Sequence, residues 1–511
     1  MRHSPSNRLI KNTGLLYIRM LLVMLVGFYT VRIVLEALGA ENYGIYNVVG
    51  GIVIVFSFLS GSMASTTQRF LAAELGRGNY CRLKMVFGTV GMVHLGLAVI
   101  VFLLGESIGL WFLNTHLIIP PDRLPAANWV YQCAIGSCCI SVVCVPFLGA
   151  VIAREEMNVF AYISILEVVM KLWVAILLQY SEGDKLKLYA VLMLILTLVM
   201  QLFYCGYCRR HFPESRYWLI WSKPLLRKII VYSGWNLFGT LAAMIRSQGL
   251  NILLNVFFDP VVNAARGIAY QINSAVNGFV ANFQVALTPQ ITKSYVAGDS
   301  SYLYRLVFLG SKYSFFLLFF LSLPILLEAD FLLNIWLKEV PEYTVIFCRL
   351  TLIVTLIDSL SGPLIHAALA TASIGKYQGI VGGIIILVLP ISYIMLWLGY
   401  PPTATMYVCI LFSFIALATR LLLLRVLIGL SLLAFSREVL LRIAVVPAAV
   451  LPLPLFLQYV QQPGPLRFMS VSACCTGLTV TAGYWLGFSN GERLFVRDTI
   501  HSICRRRWRH E

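Results

Sequence analysis

Eight ionisable side chains sit inside long apolar stretches of this chain, and these are the residues with chemistry to offer. They are Arg19, Arg32, Glu167, Lys171, Arg246, Arg266, Arg349 and Asp358. Placing such a group in hydrocarbon costs about 2.5–3.5 kcal/mol by insertion scales, so each one needs a reason. Cations outnumber anions, and arginine offers a planar fork of donors matched to phosphate-like oxygens. An anion site is the chemistry this set suits.

The residues differ in what surrounds them. Arg246 lies about 22 Å into its helix at 1.5 Å per residue, too deep to snorkel easily. Asn236, Gln248, Asn251 and Asn255 share that helix, as in a wet cavity wall; the other reading is a buried structural pair. Arg32 has Glu36 four residues on, the spacing of a rim salt bridge, and competes for that reading with ligand contact. Arg19 is one or two turns from a helix end, where snorkelling explains it as well as a ligand does. Arg266 and Arg349 fall near the opposite face. Glu167 and Lys171 are spaced i,i+4 with Glu first. They read either as a self-neutralising pair or as a proton-sensitive switch that opens when an anion competes for Lys171. Asp358 has no cation nearby on its own helix, so it pairs with an arginine of another span or carries a proton. Gln271, Asn273, Asn277, Asn282 and Gln284 crowd one helix, where amides bind hydroxyls or glue helices together. His94 and His366 are lone histidines in apolar runs and read as structural.

Several chemistries are excluded or disfavoured. No G-x-x-x-x-G-K-[ST] loop is present, so direct nucleotide hydrolysis is out. H-E-x-x-H, paired zinc ligands and a nucleophile elbow are also missing, so neither an enzyme nor a cofactor is expected. A membrane glycosyl polymerase needs a large outer loop, and the largest candidate, 106–125, is short. Most of the 12 cysteines lie in apolar runs; Cys205-x-x-Cys208 has metal or redox spacing but no partner pair, and reads as packing.

The elements that must position these residues are membrane helices. The chain has 511 residues, 59% of them hydrophobic and 12% charged. Apolar runs recur from end to end, each long enough to cross a bilayer core of about 30 Å. The expectation is an all-α polytopic membrane protein of about fourteen spans, from 14–38 and 43–66 through 262–288 to 467–488. Residues 1–13 are polar and basic, and no small-residue cleavage site follows, so the first helix is expected to stay as an anchor. The net charge of +17 alternates along the chain instead of forming one stripe, which argues against nucleic acid. Placing both termini in the cytoplasm gathers most Lys and Arg on the inner side. Residues 209–228 form a basic linker whose Tyr217, Trp218 and Trp221 suit the membrane interface.

A duplication runs through this pattern. Thr66, Gln68, Gly76, Tyr80 and Gly88 match Thr288, Gln290, Gly298, Tyr302 and Gly310 at one offset of 222. Pro146, Ala150 and Ala153 match Pro363, Ala367 and Ala370 at an offset of 217. Self-similarity at such a period means two halves of one architecture. Six spans in each half make the repeats parallel, related by an axis along the membrane normal with a cavity between two lobes. The expected division is 1–208 for the first lobe, 209–228 for the linker, 229–428 for the second lobe, and 429–511 for two extra helices and a basic tail. Pro289, Pro324 and Pro363, the last beside Gly362, are expected kinks.

YGIYNVVGGIV with SMASTTQRFL, PFLGAVIAREEMNVFAYISILE, and NSAVNGFVANFQVALTPQITKSYVAGD resemble the polysaccharide-flippase (Wzx-type) branch of the multidrug/oligosaccharidyl-lipid/polysaccharide exporter superfamily. The resemblance covers the first twelve spans. It implies a two-lobed transporter that moves undecaprenyl-diphosphate-linked sugar units outward across a bacterial inner membrane. A diphosphate gives the surplus of cations a purpose. Arg246, Arg32, Arg19, Arg266 and Lys171, with Asn251, Asn273 and Asn277, are then the expected substrate-binding set. Glu167 and Asp358 are the candidates for coupling to H+ or Na+. The competing reading is a multidrug or small-solute antiporter of the same fold, whose cationic cargo would want carboxylates on the path.

Overall fold

The computed structural model describes residues 5–116, 120–216, 220, 222–258, 260–337, 340–371, 374–489 and 491–494. It is all-helical: 90% is helix and the described residues contain no strand. Lipid offers backbone N–H and C=O groups no partners, so helices, which satisfy themselves internally, are what these apolar sequences can form. Among the described residues eleven helices are long and apolar enough to cross a membrane, which makes the chain a multi-pass membrane protein. The other three expected spans also fall on helices, but outside those eleven. One is the part of the first helix beyond Gly39. Another, 262–288, is diluted by its amides, and 467–488 by Arg467 and several threonines.

The chain forms two compact units. The first comprises Met1–Leu241, Val285–Ser300 and Leu369–Gly379. It holds α1 (Pro5–Arg77), α2 (Tyr80–Leu104), α3 (Leu110–His116), α4 (Leu124–Ala153), α5 (Met157–Tyr180), α6 (Lys185–His211) and the opening of α7 (Lys223–Phe257). Gly39 breaks α1 with φ 76° and ψ 163°, a conformation that glycine reaches without a Cβ penalty. That break separates the first two expected spans. Val34, Val49, Val130, Tyr131, Ala175 and Leu186 pack α1, α4, α5 and α6 into one apolar core. The Tyr131 hydroxyl finds the Gly105 carbonyl at 2.7 Å, so the buried ring leaves no donor unpaired.

The second unit comprises Ala242–Gln284, Ser301–Ala368 and Ile380–Glu511. It takes the rest of α7, most of α8 (Pro260–Val296), α9 (Ser300–Leu327), α10 (Ala329–Trp336), α11 (Thr344–Ser359) and α12 (Ser361–Ala370). It continues through α13 (Gly375–Trp397), α14 (Ala404–Ile428), α15 (Leu432–Phe435), α16 (Leu441–Val450), α17 (Pro452–Val460) and α18 (Pro465–Ala482). Leu254, Ala269, Phe347, Leu352, Val388 and Met406 form its core. Pro289 and Pro324 lie inside α8 and α9, while Pro363 follows the break at Leu360 between α11 and α12.

Charges at helix ends are mostly tied down. Arg154 grips Glu214 in a bidentate pair at 2.7–2.9 Å, fixing the end of α4 to the linker. Arg467 reaches the fully buried Glu328 side chain at 2.9 Å, and Lys312 reaches Glu492 at 2.7 Å. Tyr217, Trp218 and Trp221 lie outside the described residues. Many large apolar side chains are exposed, Leu25, Trp173, Ile252 and Trp397 among them, as a protein solvated by lipid requires.

A membrane-impermeant maleimide offers a check on the topology. Cysteines introduced at Pro120, Gly183, Val340 and Pro463 are expected to react from outside the cell, and those at Gly78, Ser300 and Leu433 only from inside. Outside labelling at Leu433, which is 82% exposed, would overturn the fourteen-span assignment. Ser215 makes a poor probe because it is fully buried.

Candidate functional site

The polar residues of α7, α8 and α11 converge in the second unit. Arg246, Arg266, Asn273, Asn277 and Asp358 line one cavity of about 330 Å³, beside Tyr270 and Thr355. Ligand pockets run from about 300 to 1,000 Å³, so this one has room for a headgroup and not for a long glycan. Arg246 Nη2 lies 3.2 Å from Asp358 Oδ2, with the two side chains 22% and 30% exposed. The sequence leaves Arg246 without an anion; the fold supplies one from 112 positions away. Pair and cavity wall are therefore one arrangement, not alternatives.

Arg266 is held differently. Its side chain is among the most buried in the protein, at 1% exposure. It donates to the Ser247 carbonyl and to the Asn251 amide oxygen, and its guanidinium lies 4.8 Å above the Tyr270 ring. Its Nε is buried without a hydrogen-bond partner among the described residues. Asn251 thus stands behind Arg266 and also accompanies Gln248 at 3.2 Å; it does not line the cavity. Asn273 accepts a 2.6 Å bond from Thr355, and Asn277 lines the wall further along α8. Two guanidiniums face one carboxylate, so the ionisable groups of the lining sum to a positive charge.

The remaining sequence candidates lie away from this cavity, all but Arg349 in the first unit. Glu167 and Lys171 form the pair their spacing predicts, at 2.6 Å and about two-fifths exposed. Arg19 lies 4.4 Å over the Phe160 ring. Arg32 bonds Glu36 at 3.2 Å with both side chains well exposed, the geometry of the rim salt bridge. Arg349 is engaged by Asp330 at 2.8 Å and by the Leu326 carbonyl. His94 is buried and bonds the Val90 carbonyl of the preceding turn, and the Cys208 thiol donates to the Phe147 carbonyl.

Sequence reasoning missed Tyr270 and Thr355. Tyr270 had a signal, since it sits i+4 from Arg266 and an aromatic one turn from a buried cation is a natural cover. Thr355 had none, because its partner is set by how α8 and α11 rotate against each other.

No protein-family profile and no curated protein matches the chain. Solved structures do. A crystal structure of a point mutant of a MATE transporter covers 85% of this chain and 98% of its own, with a TM-score of 0.72 at 14% identity. An outward-facing multidrug resistance MATE family transporter of the MOP superfamily covers 84% and 97%, at 0.70 and 15%. A MOP superfamily transporter from Pyrococcus furiosus, described as having a binding pocket of reversed polarity that suggests a different function, covers 85% and 97%, at 0.66 and 15%. The fold is that of the MATE transporters. It is a two-lobed helical architecture, and the cavity above lies in one of its units.

The Glu167–Lys171 pair can be assigned by mutation. If its role is structural, Glu167→Gln with Lys171→Met should restore protein level lost in either single variant. If it is a switch, all three variants should accumulate while transport fails. Equal transport by all three would remove any role for the pair. The measurement is membrane-fraction protein level alongside transport.

Proposed function

We propose that this protein is a transporter that carries undecaprenyl-diphosphate-linked oligosaccharide units outward across a bacterial inner membrane by alternating access. The observation that carries this reading is the positive lining of the cavity in the second unit. A diphosphate brings about two negative charges into a space where screening is weaker than in bulk. Arg246 would meet it with a fork partly held by Asp358, so cargo competes with the carboxylate for the guanidinium. Arg266 would offer its unpaired Nε, removing a burial penalty of about 1–3 kcal/mol. Asn273 and Asn277 are placed for sugar hydroxyls. Asp358, freed when Arg246 turns to cargo, is the group best placed to take up H+ or Na+; Glu167 is the alternative in the first unit. A MATE transporter of the same fold is described in complex with Rb+, which supports asking about monovalent cations here.

The fold also houses multidrug transporters, and Asp358 would serve a cationic drug. The sign of the cavity separates the two readings. In a strain lacking its own flippase, expression of this chain is expected to restore surface glycan without raising resistance to cationic dyes. Dye resistance with no glycan would favour the antiporter.

A further inference from the structure

The duplicated motifs are not at the cavity. Their two Thr-x-Gln stretches, the first Pro-Ala-Ala motif and Ala370 lie in the first unit, at one polar seam that joins the charge-rich ends of α1, α4, α7 and α8 and the start of the 369–379 segment. Arg69, 8% exposed, donates from Nη2 to the Ala370 carbonyl at 3.1 Å, its guanidinium packed on Phe70 and Tyr232. The Tyr232 hydroxyl donates to the neighbouring Leu369 carbonyl at 2.8 Å, and Asn236 donates to the Ser62 carbonyl at 2.9 Å. Lys293 pairs with Glu155 at 2.7 Å, and Gln290 approaches the same carboxylate at 3.4 Å. A Cβ at Gly76 would come within 3.1 Å of the Lys293 backbone, so the two copies of the repeat touch nearly main chain to main chain.

The contacts are reciprocal. The first copy of the Thr-x-Gln motif runs into Arg69, which grips Ala370, the last residue of the second Pro-Ala-Ala motif. The second copy runs through Gln290 to Lys293, which grips Glu155, two residues past the end of the first Pro-Ala-Ala motif. Duplication has thus built two bolts, each reaching from one half of the sequence to the other.

Two features mark this seam as one that parts. Glu155 holds a left-handed backbone at φ 62°, which a glycine would adopt more easily; a carboxylate is kept there at a cost in strain. The buried polar atoms Ser62 Oγ, Thr67 Oγ1, Gln68 Nε2, Arg69 Nε and Ser233 Oγ have no hydrogen-bond partner among the described residues. A permanent seam would be packed with apolar side chains or fully paired. Groups left half-satisfied when buried, and hydrated when exposed, make closure nearly balanced against opening.

We infer that this seam is the cytoplasmic gate, a double latch of Arg69–Ala370 and Glu155–Lys293 that opens and recloses in every transport cycle. The gate rests on the transporter reading but not on the identity of the cargo. Its test therefore uses no glycan. Full-length protein carrying Ser233→Cys and Cys81→Ser is labelled with maleimide in inside-out vesicles, and mass spectrometry reads each cysteine separately. Cys348, fully buried in the second unit, reports unfolding in the same sample. Adding Glu155→Gln, Lys293→Met or Arg69→Gln is expected to speed labelling at position 233 by about tenfold, the loss of one charge-assisted bond, with Cys348 still protected. The charge swap of Glu155→Lys with Lys293→Glu should return the rate towards its starting value. Labelling at position 233 that no latch variant changes, or that rises only together with Cys348, would overturn the gate. Absence of glycan display with the expected labelling pattern would leave the gate standing and count against the cargo.

Discussion

Arg246→Ala is expected to abolish glycan display while the protein still reaches the membrane, and Arg246→Lys to recover only part of it. A guanidinium fork on a diphosphate contributes about 1.5–3 kcal/mol through charge-assisted hydrogen bonds, so its loss corresponds to roughly a ten- to hundredfold drop in transport. Lysine keeps the charge but not the bidentate geometry. The Asp358 partner makes a second reading of the same variant available. Removing Arg246 leaves a partly buried carboxylate unpaired, which destabilises in its own right. Combining Arg246→Ala with Asp358→Asn should therefore restore any lost protein level without restoring display. Surface glycan, normalised to protein in the membrane fraction, is the measurement. Full display by the alanine variant at normal abundance would remove Arg246 from the mechanism.

Arg266→Met carries the next largest expected effect. Methionine fills much of the same volume, but the ionisable groups of the cavity lining then sum to zero instead of a positive charge. Display is expected to fall about tenfold or more, and Arg266→Lys to lie between the two. Protein level should fall as well, since the Asn251 side-chain oxygen and the Ser247 carbonyl lose the donor they share. A variant that displays glycan normally would make Arg266 a packing residue that only steadies α7 against α8.

Local spacing made part of this site legible before any fold was known. The Arg32–Glu36 and Glu167–Lys171 pairs follow from i,i+4 geometry, and both form. The gap between spans 14–38 and 43–66 holds the break in α1 at Gly39, and the amides read on α8 include Asn273 and Asn277 of the cavity wall. Partners across helices were another matter. Arg246 with Asp358, Arg266 with Asn251 and Arg69 with Ala370 depend on how each helix is rotated about its axis. In a soluble protein the amphipathic stripe gives that rotation away. Here most helices are apolar all round because lipid replaces water outside, so the stripe is missing and the pairing with it. The burial of Ser215 beside Glu214 inside the basic linker 209–228 is another feature that local spacing does not show.

The proposed function requires that a positive cavity in a MATE fold carry a lipid-linked diphosphate. The most direct measurement is translocation in proteoliposomes of purified full-length protein, using a fluorescent undecaprenyl-diphosphate oligosaccharide and quenching of the outer leaflet. Wild-type protein is expected to move the lipid between leaflets faster than empty vesicles do. Arg246→Ala should fall to the empty-vesicle rate, and an uncharged lipid bearing the same sugar should not be moved. Equal translocation of the uncharged lipid, or none of the diphosphate lipid by an intact protein, would contradict the account.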